Sequence, residues 1–129
     1  MKNLIFFLIL TISLSSFAQN KLTLLNYPKK GSNIVCKISS AIYGKENNQR
    51  NTTPYYLINA EIDTKTTANT LFNASKTGKL IPKAVLSFQN KTNIKLNLTN
   101  LLIADYAISL KEGKLVESFK IYFQTMSIK

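Results

Sequence analysis

Apolar residues recur at every second position through most of this chain, and that period constrains its fold more than any other feature. Ala84, Leu86 and Phe88 share one face along Lys83 to Gln89. Ile94, Leu96 and Leu98 alternate with Lys95 and Asn97, and Leu102, Ala104, Tyr106 and Ile108 continue the pattern. Successive side chains of a strand point to opposite faces, so this spacing predicts strands buried on one side. Lys21 to Leu25 reads as a short strand, ended by the turn-type cluster Tyr27-Pro28-Lys29-Lys30-Gly31. Ile34 to Tyr43 carries Ile34, Cys36, Ile38 and Ser40 on one face, with Val35, Lys37 and Ser39 on the other. Tyr55 to Ile62 is a further strand. Leu115 to Ile128 reads as the last one, with Phe119, Ile121 and Phe123 opposite Lys120, Tyr122 and Gln124. Lys111 to Lys114, containing Gly113, is the hairpin-type loop before it.

One segment has helical spacing instead. Ala68, Leu71, Phe72 and Ser75 fall at i, i+3, i+4 and i+7, with Thr66 or Thr67 as N-cap and Gly78 suited to the left-handed position that ends a helix. Lys76 in the last turn complements the helix dipole. So short a helix is marginal alone, and Leu71 and Phe72 are expected to pack it on the sheet. Gly44 to Pro54 is polar throughout and reads as a long exposed loop. Many short strands and a single helix indicate a mainly β fold, a small antiparallel barrel or sandwich of two packed sheets with one short flanking α-helix.

The N-terminus follows a different rule. Lys2 precedes an apolar run from Leu4 to Leu14, and Ser16-Phe17-Ala18 places small residues at −3 and −1 of a cleavage site. That order is a secretory signal peptide over residues 1–18, leaving Gln19 to Lys129 as one exported domain, periplasmic or extracellular. The run is shorter than the roughly 20 residues of a spanning helix, so no stable membrane insertion is expected.

Composition excludes several chemistries. The 129 residues contain no His and one Cys, so no zinc, haem or iron–sulfur ligand set can be built except by carboxylates alone, and no Ser-His-Asp or Cys-His arrangement and no internal disulfide is possible. The glycines Gly31, Gly44, Gly78 and Gly113 stand too far apart for a phosphate-binding loop. Glu61 and Asp63 share a strand face, the minimum for paired-carboxylate chemistry, and equally suit a solvated strand end. No enzymatic activity and no cofactor are expected. Cys36, flanked by Val35 and Lys37, reads as a buried small hydrophobe. Losing Lys2 with the leader leaves 16 basic residues against 6 acidic. The lysines are scattered and Arg50 is the one arginine, a solvated surface with no nucleic-acid partner expected.

From Ile58 to Ile128 the order of features resembles the haemolysin-coregulated protein family, the inner-tube subunits of type VI secretion systems. Glu61-Ile62-Asp63 before the helix is similar to the family's "y-I-D-k" element. Thr77-Gly78-Lys79-Leu80-Ile81-Pro82-Lys83-Ala84-Val85-Leu86 resembles its "T-G-K-x-I-x-x-A-V-L" segment. Ile94 to Tyr106 is similar to "l-k-I-t-L-x-d-v-L-v-s-s-Y", and Glu117 to Phe123 resembles the "E-s-v-s-L-n-F" ending. The family's acidic opening turn is replaced here by the basic Asn26 to Ser32.

The resemblance implies a β-barrel subunit that forms six-membered rings stacked into a tube, acting structurally through self-association. Its further partners would be a secreted effector or other type VI components. The polar stretch Glu46, Asn47, Asn48, Gln49, Arg50, Asn51 and Thr52 is the candidate stacking loop. The alternative reading, which the leader favours, is an exported monomeric binding module that kept the barrel and lost tube assembly.

Overall fold

The computed structural model describes residues 20–47, 52–89 and 93–129. The expected leader, with its cleavage site after Ala18, lies outside those residues. Among the described residues no helix is long and apolar enough to cross a membrane.

Chain order is β1 (Lys21–Leu25), β2 (Asn33–Asn47), β3 (Thr52–Glu61), α1 (Lys65–Thr77), β4 (Ile81–Phe88), β5 (Ile94–Lys111), β6 (Lys114–Tyr122) and β7 (Thr125–Ile128). Every pairing is antiparallel, and the strands close on themselves in the order β1-β2-β3-β6-β5-β4 and back to β1. Closure leaves β7 as an added strand beside the first half of β5. Two long strands make the corners. The start of β2, Asn33 to Lys37, pairs with β1, and from Ile38 onward it pairs with β3, with a register shift between Ile38 and Ser40. Strand β5 pairs with β4 as far as Leu101 and with β6 from Leu102. The interior between the two sheets is filled by Leu22, Leu24, Ile58, Leu86, Leu98 and Phe119, all without exposed surface.

The corner in β5 changes the expected face. Asn100 and Asp105 adopt left-handed backbone angles, φ 51° and 55°. At Asp105 the register with β6 shifts between Ala104 and Ala107, as at a bulge, whereas the register with β4 runs unbroken through Asn100; the burial alternation reverses at both. Leu96 and Leu98 are buried, and beyond Asn100 it is Leu101 and Ile103 that enter the core. Leu102 and Ala104, expected inside, face outward, and the phase returns at Tyr106. The expected final strand also divides: the Gln124 N–H donates to the Thr99 carbonyl at 3.0 Å, where the chain leaves β6 and begins β7 against β5.

Helix α1 begins two residues earlier than the Thr66 reading and three earlier than the Thr67 one. Thr64 is the N-cap, its hydroxyl accepting from the Thr67 N–H at 3.1 Å, so Thr66 and Thr67 lie inside the first turn. Gly78 ends the helix with φ 68° and donates its N–H to the Ala74 carbonyl at 3.1 Å. Packing against β5 is through Leu71 and Ala74, both buried. Phe72, also expected to pack the helix on the sheet, meets Tyr106 of β5 at 6.1 Å between ring centroids and is 47% exposed. One residue is about 100° of helix rotation, which carries Phe72 from the buried line to its rim.

Candidate assembly surface

Within the polar stretch Gly44 to Pro54, the described residues Gly44 to Asn47 and Thr52 to Pro54 are paired strand and not loop. Gly44 pairs with Tyr55, Lys45 with Pro54, Glu46 with Thr53 and Asn47 with Thr52. These residues extend beyond the barrel with no core to cover, so backbone pairing holds them without apolar side chains. That is why hydropathy gave no strand signal there. The Thr52 hydroxyl donates to Asn47 Oδ1 at 3.1 Å across the pair. Of the expected stacking residues, Glu46 and Asn47 therefore stand on β2 and Thr52 on β3. Asn48, Gln49, Arg50 and Asn51 lie outside the described residues.

Glu46 is fixed to the barrel wall. Lys120 Nζ donates to its Oε1 at 2.7 Å, sits 3.6 Å from Asp105 Oδ2, and lies 4.9 Å above the Tyr55 ring. The Lys120 hydrogen bond holds the Glu46 carboxyl below the usual carboxylate range, and Glu46 in turn raises Lys120. Tyr122 packs 5.7 Å from Tyr55, and burial followed by Glu46 pushes its hydroxyl up to about 12. Gly44 makes this arrangement fit, because a Cβ there would stand 2.6 Å from the Tyr55 ring carbon Cζ.

At the opposite hairpin the core-facing phase runs on past the core. Ile108 is opposite Glu117 and Leu110 is opposite Leu115, on the same face as the buried Phe119 and Ile121. Ile108, Leu110 and Leu115 are nevertheless 53%, 70% and 54% exposed, because β5 and β6 outrun the barrel. Ile108 and Phe72 face each other across an open pocket of about 680 Å³ between α1 and β5. A contiguous bare apolar area of this kind marks an interaction surface. Sequence reasoning singled out Phe72 alone. The unbroken period from Tyr106 through Ile108 to Leu110 was the available signal, but period does not tell where a barrel ends.

Beneath that surface Glu117 is buried at 2% exposure and accepts from the Tyr106 hydroxyl. Burial raises its carboxyl above the usual range, which the Tyr106 bond partly offsets. Cys36 is buried and free, and burial with the nearby Glu117 and Asp63 pushes its thiol up to about 12. A thiol so placed is not nucleophilic. Among the described residues no three His, Cys, Asp or Glu side chains gather as a metal site. Glu61 takes part in an exposed ion pair with Lys114 at 3.5 Å, the solvated-strand-end reading of that residue.

No family model matches this sequence, and no curated protein does. Solved structures do. Hcp2 from Salmonella typhimurium superposes with a TM-score of 0.63 at 21% identity, covering 85% of this chain and 84% of that one. Hcp1 from the E. coli EAEC 042 pathovar gives 0.65 at 11% identity over 86% and 90% of the two chains. A type VI secretion system effector from Yersinia pestis gives 0.66 at 10% identity over 84% and 87%. These similarities span the first third of the domain as well as the part that resembles the family in sequence. The chain has the fold of the haemolysin-coregulated (Hcp) proteins of type VI secretion.

Proposed function

We propose that this protein is an exported, tube-type structural component of the Hcp kind that works by joining copies of itself into a closed ring. The observation that carries this reading is the bare apolar surface of Phe72, Ile108, Leu110 and Leu115 on a barrel whose core is otherwise closed. Side chains in core phase yet exposed are costly in water and gain when another chain covers them. The β2–β3 hairpin, tied to the wall through Glu46 and Lys120, would be the element that touches the next ring. Sedimentation velocity of the purified protein checks the reading. The parent should sediment as a closed oligomer, and Leu110→Ser/Leu115→Ser should be a folded monomer, since exposed positions alter fold stability by only about 0.5 kcal/mol.

The leader-like residues 1–18 favour a second reading, a monomeric exported binding module. A parent that stays monomeric at high concentration supports it and ends the ring reading.

A further inference from the structure

Lysines scattered in sequence are brought into one line by the sheet. Lys21 is directly opposite Lys37 across β1 and β2, and directly opposite Ser87 across β1 and β4. Ser87 is opposite Lys95, whose carbonyl accepts from the Lys129 N–H at 2.9 Å beside the end of β7. The row therefore crosses β2, β1, β4 and β5 and ends beyond β7. With strands about 4.8 Å apart it is about 19 Å long. Leu22, Cys36, Leu86 and Leu96, the chain neighbours of the row, are buried, so Lys21, Lys37 and Lys95 stand on the outer face and are exposed. Lys83, opposite Leu25, lies on that face too.

Among the described residues no acidic side chain stands on these strand segments: no Asp or Glu occurs in β1, β4 or β7, in Asn33 to Lys37 of β2, or in Ile94 to Leu101 of β5. The ion pairs among the described residues use Lys114 and Lys120 instead. Like charges directly opposite on neighbouring strands destabilise a sheet. The Lys21–Lys37 pair thus opposes folding, and an anion laid over it removes the repulsion.

The chemistry of the row narrows the anion. A line of separated positive charges fits a linear polyanion better than a single compact ligand. Lysine is a hydrated point charge, suited to diffuse attraction, whereas base or phosphate reading relies on the planar fork of arginine. The positions beside the row are Thr23, Val35, Val85 and Asn97, without an aromatic ring for a base to stack on. We propose that this face binds a linear acidic polysaccharide, bearing carboxylate or sulfate groups, along the row Lys37, Lys21, Lys95.

Labelled heparin fragments, which carry both groups, are the probe, and anisotropy titrations of the purified protein at several salt concentrations are the measurement. The face variant is Lys21→Gln/Lys37→Gln/Lys95→Gln. The control, Lys45→Gln/Lys76→Gln/Lys111→Gln, has the same net charge with the row intact. The expected result is a loss of about 10-fold or more in the face variant, with the salt slope of log K reduced by about two, and a change under about 3-fold in the control. Thermal unfolding checks that the face variant is folded, and loss of the opposed lysines should leave its Tm unchanged or higher. Equal losses in both variants would reduce the attraction to net charge and overturn the proposal, as would no binding by the parent. A poly-dT strand bound more tightly than heparin, and weakened by the face variant, would overturn it in favour of nucleic acid.

Discussion

The Tyr106 hydroxyl donates to the Glu117 carboxylate at 2.5 Å, and through Tyr106 this buried acid is linked to the helix. The Tyr106 ring stacks on Phe119 with centroids 6.1 Å apart, and its other contact is the edge of Phe72 on α1, also at 6.1 Å. Its backbone N–H donates to Ser75 Oγ at 3.4 Å. One residue of β5 thus touches the core, the helix and the acid.

That acid has a pH signature. Tyr106 faces Glu117 from β5 and Cys36 from β2, and none of the ion pairs among the described residues includes it. Its folded-state pKa is raised, mainly by burial, so the folded protein holds this proton to higher pH than the unfolded chain does. Stability from this group is therefore full below the unfolded value and falls as pH rises through the folded value. Glu117→Gln keeps an acceptor for Tyr106 and cannot ionise. Its stability relative to the parent should increase from acid to neutral pH in urea titrations, and a difference constant with pH would contradict the assignment.

Leu71 and Phe72 should separate cleanly despite being neighbours. Leu71 is fully buried, and Leu71→Ala should cost about 2–5 kcal/mol. Phe72→Ala removes a ring that is nearly half exposed and should cost about 1–2 kcal/mol, well below a core phenylalanine. Denaturant midpoints at constant slope check both, and equal costs would place Phe72 inside the core after all.

Gly44 is required by Tyr55 and not by its own backbone. Gly44→Ala should cost about 1 kcal/mol as the Tyr55 ring is displaced from Lys120. In a Tyr55→Ser background the same substitution should be nearly neutral. The double-mutant cycle reads the coupling directly, and additive effects would sink the account.

Asn100 carries the corner of β5. Its left-handed angle is tolerated by Asn and Gly and resisted by a β-branched side chain. Asn100→Gly should be close to neutral, whereas Asn100→Val should cost about 1–2 kcal/mol or more. Thermal unfolding of the two variants distinguishes a required corner from an incidental one.

Period-two alternation by itself determined the fold class, because only strands bury every second residue, and it placed β1, β4 and the buried Cys36 correctly. The cap chemistry of Gly78 likewise fixed where α1 ends, since a left-handed residue there needs no tertiary partner. Strand ends without a core behind them were not legible. Glu46 and Thr53 pair through backbone alone, and polar side chains on both faces look the same in a loop. The faces of β5 were not legible either, because the left-handed residue Asn100 inverts the alternation and Asp105 restores it, while the composition is unchanged. Bareness was decided by length: Leu110 and Leu115 have the residue types of a core and are exposed because the barrel stops before they do. The lysine row is the clearest case. Lys21, Lys37 and Lys95 are distant in the chain, and only the register between strands puts them side by side.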